Sequence, residues 1–339
     1  MTQIVFHIGY HKTATTWMQN RLFWPRNGFA QIAGHQEVHD HIIAPHGLDF
    51  NADKMRRRVA KAEVTPGLVP VISSELLTGN PHYGSHQSDI YAKRIKEIAP
   101  DAKILISIRS QLRLLPSLYM QYVARGGRLT WRDYFAGEKI VGYLGFDPRA
   151  FQYDRLIAHY EALFGAKNVI VVTQESLRED LNGTVRRMAV QLGSQKFGIL
   201  SDEDREPHPS VLPEYAAPLL RRINHFQHGP LNPAPVFEPT GRRPDLYRAA
   251  GWLMRRTWMR GLVSNEKPVT HYVAETFGDF YNESNFRLMA RRPELDLTDY
   301  PRGLSAATAR DERRHRQNEN HPHEVVRDNV GHVCAGNNR

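Results

Sequence analysis

Four residues near the start of the chain, Lys12, Thr13, Thr15 and Thr16, are of types that handle anions. They lie in "HIGYHKTATTWMQ", residues 7 to 19, which reads as the end of a strand, a tight turn and the start of a helix. A helix N-terminus offers unpaired backbone N–H groups and a partial positive charge, so an anion seated there gains hydrogen bonds and field together. Lys12 adds a mobile point charge, and the threonine hydroxyls add donors. The bland alternative is a helix cap with an incidental lysine. The nucleotide triphosphatase signature G-x-x-x-x-G-K-[ST] is not met, because only "YH" separates Gly9 from Lys12.

A second stretch, "IRSQLRLLPSLYMQY" (108 to 122), carries Arg109 at the end of an apolar run and Ser117 eight residues later. An arginine at the C-terminal end of a parallel strand points into the crevice where open α/β sheets bind ligands. With Ser117 it can fork onto a phosphate. A P-loop NTPase wants an acidic residue at a strand end to organise Mg²⁺. Here that strand ends in Arg109, which argues for a ligand handled by cations and backbone dipoles, without a metal.

The elements that must position these groups follow from hydrophobic runs. Residues 3–9, 67–75, 102–110 and 167–177 are short, β-branched and apolar, and read as buried strands. Helical patterns such as "SDIYAKRIKEIAP" and "YDRLIAHYEALFG" stand before the third and fourth. Strands separated by helices imply an α/β fold, with a mainly parallel central sheet covered on both faces. From about residue 178 onward only helices are expected, among them "LPEYAAPLLRRINHFQ" and "VTHYVAETFGDFYNESNFRLMARR". The Pro- and Gly-rich segment 229–245 is expected to be a long loop or lid. One domain is expected over 1–301, followed by a charged, disordered tail over 302–339.

Composition sets the outer bounds. A chain of 339 residues with 41% hydrophobic and 24% charged residues can bury a substantial core. No apolar run nears the ~20 residues of a membrane helix, so a soluble protein without a transmembrane segment is expected. The net charge of +9 favours anionic partners, although Arg-rich runs such as "KMRRRVAK" are commonly solvated faces. The one cysteine, Cys334, has no partner for an internal disulfide. The chain opens on "QIVFHIGY" rather than on a basic and then apolar leader, so the expected location is cytoplasmic.

Together the two stretches resemble the sulfotransferases that use 3′-phosphoadenylyl sulfate (PAPS). In that family a strand-loop-helix of the form K-[ST]-G-T-T-W binds the 5′-phosphosulfate, and an Arg with a Ser eight positions on binds the 3′-phosphate. Here the first reads Lys12, Thr13, Ala14, Thr15, Thr16, Trp17, and the second Arg109 and Ser117. The resemblance extends more weakly over residues 3 to 300. It implies a P-loop-type three-layer α/β/α fold, PAPS as donor, no metal, and a hydroxyl-bearing acceptor, less readily an amine. The acceptor it implies would be a carbohydrate, lipid or small molecule, with glycan and glycolipid among the candidates, and nucleic acid is not expected. Lys12 would help the bridging oxygen leave, Thr13, Thr15 and Thr16 would hold phosphate and sulfuryl oxygens, and Trp17 would stack on adenine. Ala14 departs from the pattern, because glycine is usual there. The family's C-terminal basic loop is not identifiable, with Arg242 and Arg302 as candidates only.

A base for the acceptor hydroxyl is sought at the end of the second strand. The resemblance implies Glu75 in "VISSELLTG", with Ser73 and Ser74 able to orient it; the alternative is a cap of the next helix. His11, inside the turn, is the second candidate. The histidine-rich stretch 34–50, with His35, His39, His41 and His46, matches no metal-ligand spacing and is expected to be a loop lining the acceptor pocket.

Overall fold

The computed structural model describes residues 3–62, 64–137, 141–206, 213–234 and 267–303. Five strands, β1 (Val5–His7), β2 (Phe29–Ala33), β3 (Val69–Ser73), β4 (Lys103–Ile108) and β5 (Val169–Thr173), form one sheet in the order β2-β3-β1-β4-β5. Every pairing is parallel. Helices cover both faces, making a three-layer α/β/α fold. Four strands fall within the expected apolar runs. The fifth, β2, lies outside them. "FAQIA" is an edge strand whose burial breaks at Ala30 and Gln31, so its run is too short and mixed to announce itself.

The sheet's two faces are written in the alternation of its strands. Phe6, Ile72, Ile104, Ile106 and Ile108 point into one core with helices Ser88–Ile98, Gln111–Ala124 and Tyr153–Phe164. Val5, Val71, Leu105, Ile170 and Val172 point into the other, against Trp17, Met18 and the helix Leu181–Leu192. On that second face, the strand ends turn polar: His7, Ser73 and Ser107 are all fully buried. Phe151 and Tyr153, from the aromatic stretch 143–153, sit in the first core, whereas Tyr143 is exposed.

Several boundaries differ from the sequence reading. β5 stops at Thr173, whose side chain accepts from the Ser176 N–H and caps a helix over Gln174–Glu179. The stretch 34–50 contains helical turns, His35–Val38 and His39–Ile43, rather than continuous loop. Within the presumed lid, Gly229 and Asn232 make an isolated bridge; residues 235–245, with Arg242, lie outside the described residues, as does the tail from 304.

The turn after β1 is held in a left-handed conformation twice, at Lys12 (φ 67) and Ala14 (φ 69). It opens the helix Thr15–Trp17, which continues as a π-turn over Met18–Leu22. Ala14 therefore occupies the backbone region that favours glycine, at a cost of about 1 kcal/mol for its Cβ. Ala14→Gly should stabilise the protein by roughly 0.5 kcal/mol, the relief being offset by glycine's greater freedom in the unfolded chain. Urea denaturation measures this; a loss of stability would mean that the Ala14 methyl packing outweighs the backbone strain. Gly9 matters for a different reason. A Cβ there would sit 2.0 Å from Ser107 Oγ and 2.7 Å from His7 Nε2.

Candidate active site

β1 lies between β3 and β4, while the chain itself runs from β1 out to the edge strand β2 and back. The connection from β3 to β4 crosses over β1, so the C-terminal end of β1 is a switch point where a crevice opens. Three segments meet there: the Lys12 turn after β1, Glu75 after β3 and Arg109 after β4. The topology therefore gathers residues separated by nearly a hundred positions.

Arg109 is incompletely satisfied. Its Nη1 reaches the Lys12 carbonyl at 3.4 Å, while its buried Nε has no partner among the described residues. Burial lowers its pKa to about 10, and the nearby cations Arg178 and Arg113 lower it further against the pull of Glu175. A guanidinium stays charged in a protein, so this depression measures how poorly the surrounding residues solvate the cation. Lys12 is in the same condition: burial lowers its pKa, as do Arg109 and Arg125. Glu175 is engaged elsewhere, accepting from the Ser110 N–H at 3.2 Å and from the Tyr300 hydroxyl at 3.3 Å. Crowded, desolvated cations facing one crevice call for a polyanionic ligand.

Glu75 stands on the opposite side. Burial raises its pKa, but His11, its own backbone N–H, His35 and Gln19 together bring it below the ordinary carboxylate value. Gln19 Nε2 approaches its Oε2 at 3.3 Å. The group is thus an oriented carboxylate beside the Lys12 turn. His11 is buried, with its pKa lowered by burial to about 4 despite the pull of Glu75. Its ring bonds the Gly79 backbone, and its Nε2 has no partner among the described residues. Both candidate bases therefore share one neighbourhood.

The remaining expected site residues divide. Thr16 is exposed, and Thr15 is buried at the helix start. The Thr13 hydroxyl is already committed, donating to the Tyr10 carbonyl at 2.5 Å and lying 2.7 Å from Ser107 Oγ. Trp17 is 7% exposed in the second core, its Nε1 donating to the Asp204 carbonyl at 2.7 Å, which is the packing of a core tryptophan. Ser117 is half-buried on the helix that follows Arg109, and no hydrogen bond among the described residues ties it to Arg109. Arg302 packs at the other end of the chain, against Met289 and the Thr298 carbonyl. Of the histidine stretch, His35 reaches the site, with Nδ1 3.1 Å from Ser74 Oγ.

Several groups were not singled out from sequence: Gln19, His7 and Ser107 beneath the turn, and the cations Arg125 and Arg178 beside it. Polar residues at buried strand positions were the available signal for His7 and Ser107; the arginines sit in ordinary helical context and carry none.

Three buried histidines also set the acid stability. His7 and His11 are held at about 4, and His82 at about 3, by burial in each case, against an ordinary value of 6.5. Below pH 6.5 the unfolded chain takes up protons while the native one does not, so stability falls as the pH drops from 6.5 toward 4. The expected result is a Tm that declines steadily over this window, with between two and three protons taken up on unfolding near its middle, about pH 5. Calorimetry across the range checks it, and a flat Tm would contradict neutral histidines.

No family model matches the chain, and no curated protein matches its sequence. Among solved structures, it is similar to a sulfotransferase from Alicyclobacillus acidocaldarius, at 18% identity and a TM-score of 0.43, covering 67% of this chain and 91% of that one. It is similar to the mouse sulfotransferase SULT7A1 complexed with PAP, at 12% identity and a TM-score of 0.34, covering 88% and 87%. A sulfotransferase domain from the curacin biosynthetic pathway matches at 10% identity and a TM-score of 0.36, covering 82% and 98%. Each of these three solved structures is a sulfotransferase or a sulfotransferase domain.

Proposed function

We propose that this chain is a sulfotransferase that moves the sulfuryl group of PAPS to an acceptor hydroxyl. The observation that carries the reading is Arg109, whose Nε has no partner among the described residues, facing Lys12 across the switch point. A bisphosphorylated donor fits this pair. One phosphate would lie at the helix N-terminus beside Lys12, and the other would accept from Arg109 and Ser117. Transfer is an in-line displacement. The acceptor oxygen bonds to sulfur as the bond from sulfur to the bridging phosphate oxygen breaks. Lys12 stabilises the charge that builds on the departing phosphate, and Glu75 receives the acceptor proton. His11, neutral and with a bare Nε2, is the alternative proton acceptor. An amine acceptor would use the same groups. Glycan, glycolipid and phenolic acceptors all carry the required hydroxyl.

Calorimetry tests the donor. Adenosine 3′,5′-bisphosphate should bind without Mg²⁺ and more tightly than adenosine 5′-phosphate. Tighter, Mg²⁺-dependent binding of ATP would point instead to a small-molecule kinase. Salt-sensitive DNA binding that survives Lys12→Ala and Arg109→Ala would point to a polyanion-binding module. Glu75→Gln should keep bisphosphate binding and lower transfer from radiolabelled PAPS by about 10²- to 10⁴-fold. Undiminished transfer would move the base to His11.

A further inference from the structure

Beneath the turn, buried side chains from β1, β3 and β4 form a continuous line of hydrogen bonds. Gln19 Nε2 lies 3.1 Å from Ser73 Oγ, and Ser73 Oγ lies 2.8 Å from His7 Nδ1. His7 Nε2 is 3.2 Å from Ser107 Oγ, which is 2.7 Å from Thr13 Oγ1. Thr13 then donates to the Tyr10 carbonyl at 2.5 Å. The space for this line exists because Gly9 lacks the Cβ that would collide with both Ser107 and His7.

The polarity of the line is forced from both ends. A carbonyl only accepts, so Thr13 gives its single proton to Tyr10. The bond between Ser107 and Thr13 then uses the Ser107 proton, and the bond between His7 and Ser107 must use a proton on Nε2. At the other end a carboxylate only accepts, so Gln19 turns its amide nitrogen toward Glu75, and that nitrogen also donates to Ser73. Ser73 is left with its own proton for Nδ1. The two deductions meet on one ring form, with Nε2 protonated and Nδ1 bare. The ring's full burial keeps it neutral, with its pKa lowered to about 4.

We propose that His7 is a positioning residue: its Nε2–H tautomer completes a one-way hydrogen-bond line that braces the left-handed Lys12 turn and links it to Glu75. Left-handed non-glycine residues persist only where their surroundings over-determine them. The line ends on Tyr10 and Thr13, the residues that flank His11 and Lys12. It therefore holds the cation's loop from below, and joins it to the candidate base without any group of the line having to touch the donor. The tautomer stands on the hydrogen bonds alone; its consequence for binding rests on the proposed function.

Nitrogen NMR of protein carrying isotope-labelled histidine reads the tautomer. His7 should appear as neutral, Nε2-protonated imidazole at neutral pH. An Nδ1-protonated ring or an imidazolium would overturn the proposal. For the brace, Ser107→Ala should weaken adenosine 3′,5′-bisphosphate binding about tenfold, the loss of one to two buried hydrogen bonds. Thr13→Val should do the same, and Thr13→Ser should restore affinity by returning the hydroxyl. Unchanged affinity in both Ser107→Ala and Thr13→Val would overturn the brace. Should the wild-type protein bind no bisphosphate, the proposed function fails, while the ring signature still decides the tautomer and inorganic sulfate serves as the affinity probe.

Discussion

Lys12→Ala should reduce sulfuryl transfer by about 10²- to 10³-fold in kcat, with a much smaller loss in bisphosphate affinity. The asymmetry follows from when the charge appears. In the bound donor the bridging oxygen is nearly neutral, and it becomes anionic only as its bond to sulfur breaks, so an ammonium aimed at it acts mainly in the transition state. Lys12 is suited to this because it is half-buried and crowded by Arg109 and Arg125, which leaves it poorly solvated until an anion arrives. Single-turnover transfer from PAPS, set beside calorimetric affinity for the bisphosphate, separates the two effects. Equal losses in both would reduce Lys12 to a binding residue, and an unchanged rate would remove it from the mechanism.

Arg109→Ala should lower affinity for adenosine 3′,5′-bisphosphate by about 10²-fold, as expected for removal of a bidentate, charge-assisted contact. Affinity for adenosine 5′-phosphate should scarcely change, since that ligand lacks the phosphate assigned to Arg109. The same substitution should raise the Tm of the unliganded protein. Arg109 is desolvated, its Nε has no partner among the described residues, and Arg178 and Arg113 repel it, so the fold holds it at a cost. A site that destabilises its own fold in order to bind is a common trade. If the bisphosphate and the monophosphate lose affinity equally, the pairing of Arg109 with the 3′-phosphate is wrong. If Tm falls, the guanidinium is holding the fold rather than waiting for a ligand.

How far these assignments could be read without coordinates depends on the kind of interaction. Lys12, Glu75 and Arg109 each follow a strand, and strand ends are legible because an apolar run stops where the sheet stops. β2 was not legible: an edge strand of mixed burial pairs on one side only, and its partner β3 supplies the information that its own five residues lack. Trp17 fits the motif position for a stacking residue, yet the structure buries it against the segment that carries Asp204. A motif specifies residue type and spacing, while the covering segment lies nearly two hundred residues away. Thr13 likewise matches a phosphate-binding position, and its hydroxyl is instead taken by Tyr10 and Ser107.

By itself the sequence determined the local chemistry: a cationic turn at a helix N-terminus, an arginine at a strand end, and an α/β alternation that brings strand ends to one edge. These are short-range properties, set by periodicity and by residue type. Tertiary structure alone decided which groups share the crevice and which of their hydrogen bonds are already made. Strand order places β1 between β3 and β4, so Glu75, Lys12 and Arg109 converge, and parallel register aligns His7 with Ser73. That alignment, and the missing Cβ of Gly9 beside Ser107, are long-range facts of packing that no window along the chain contains.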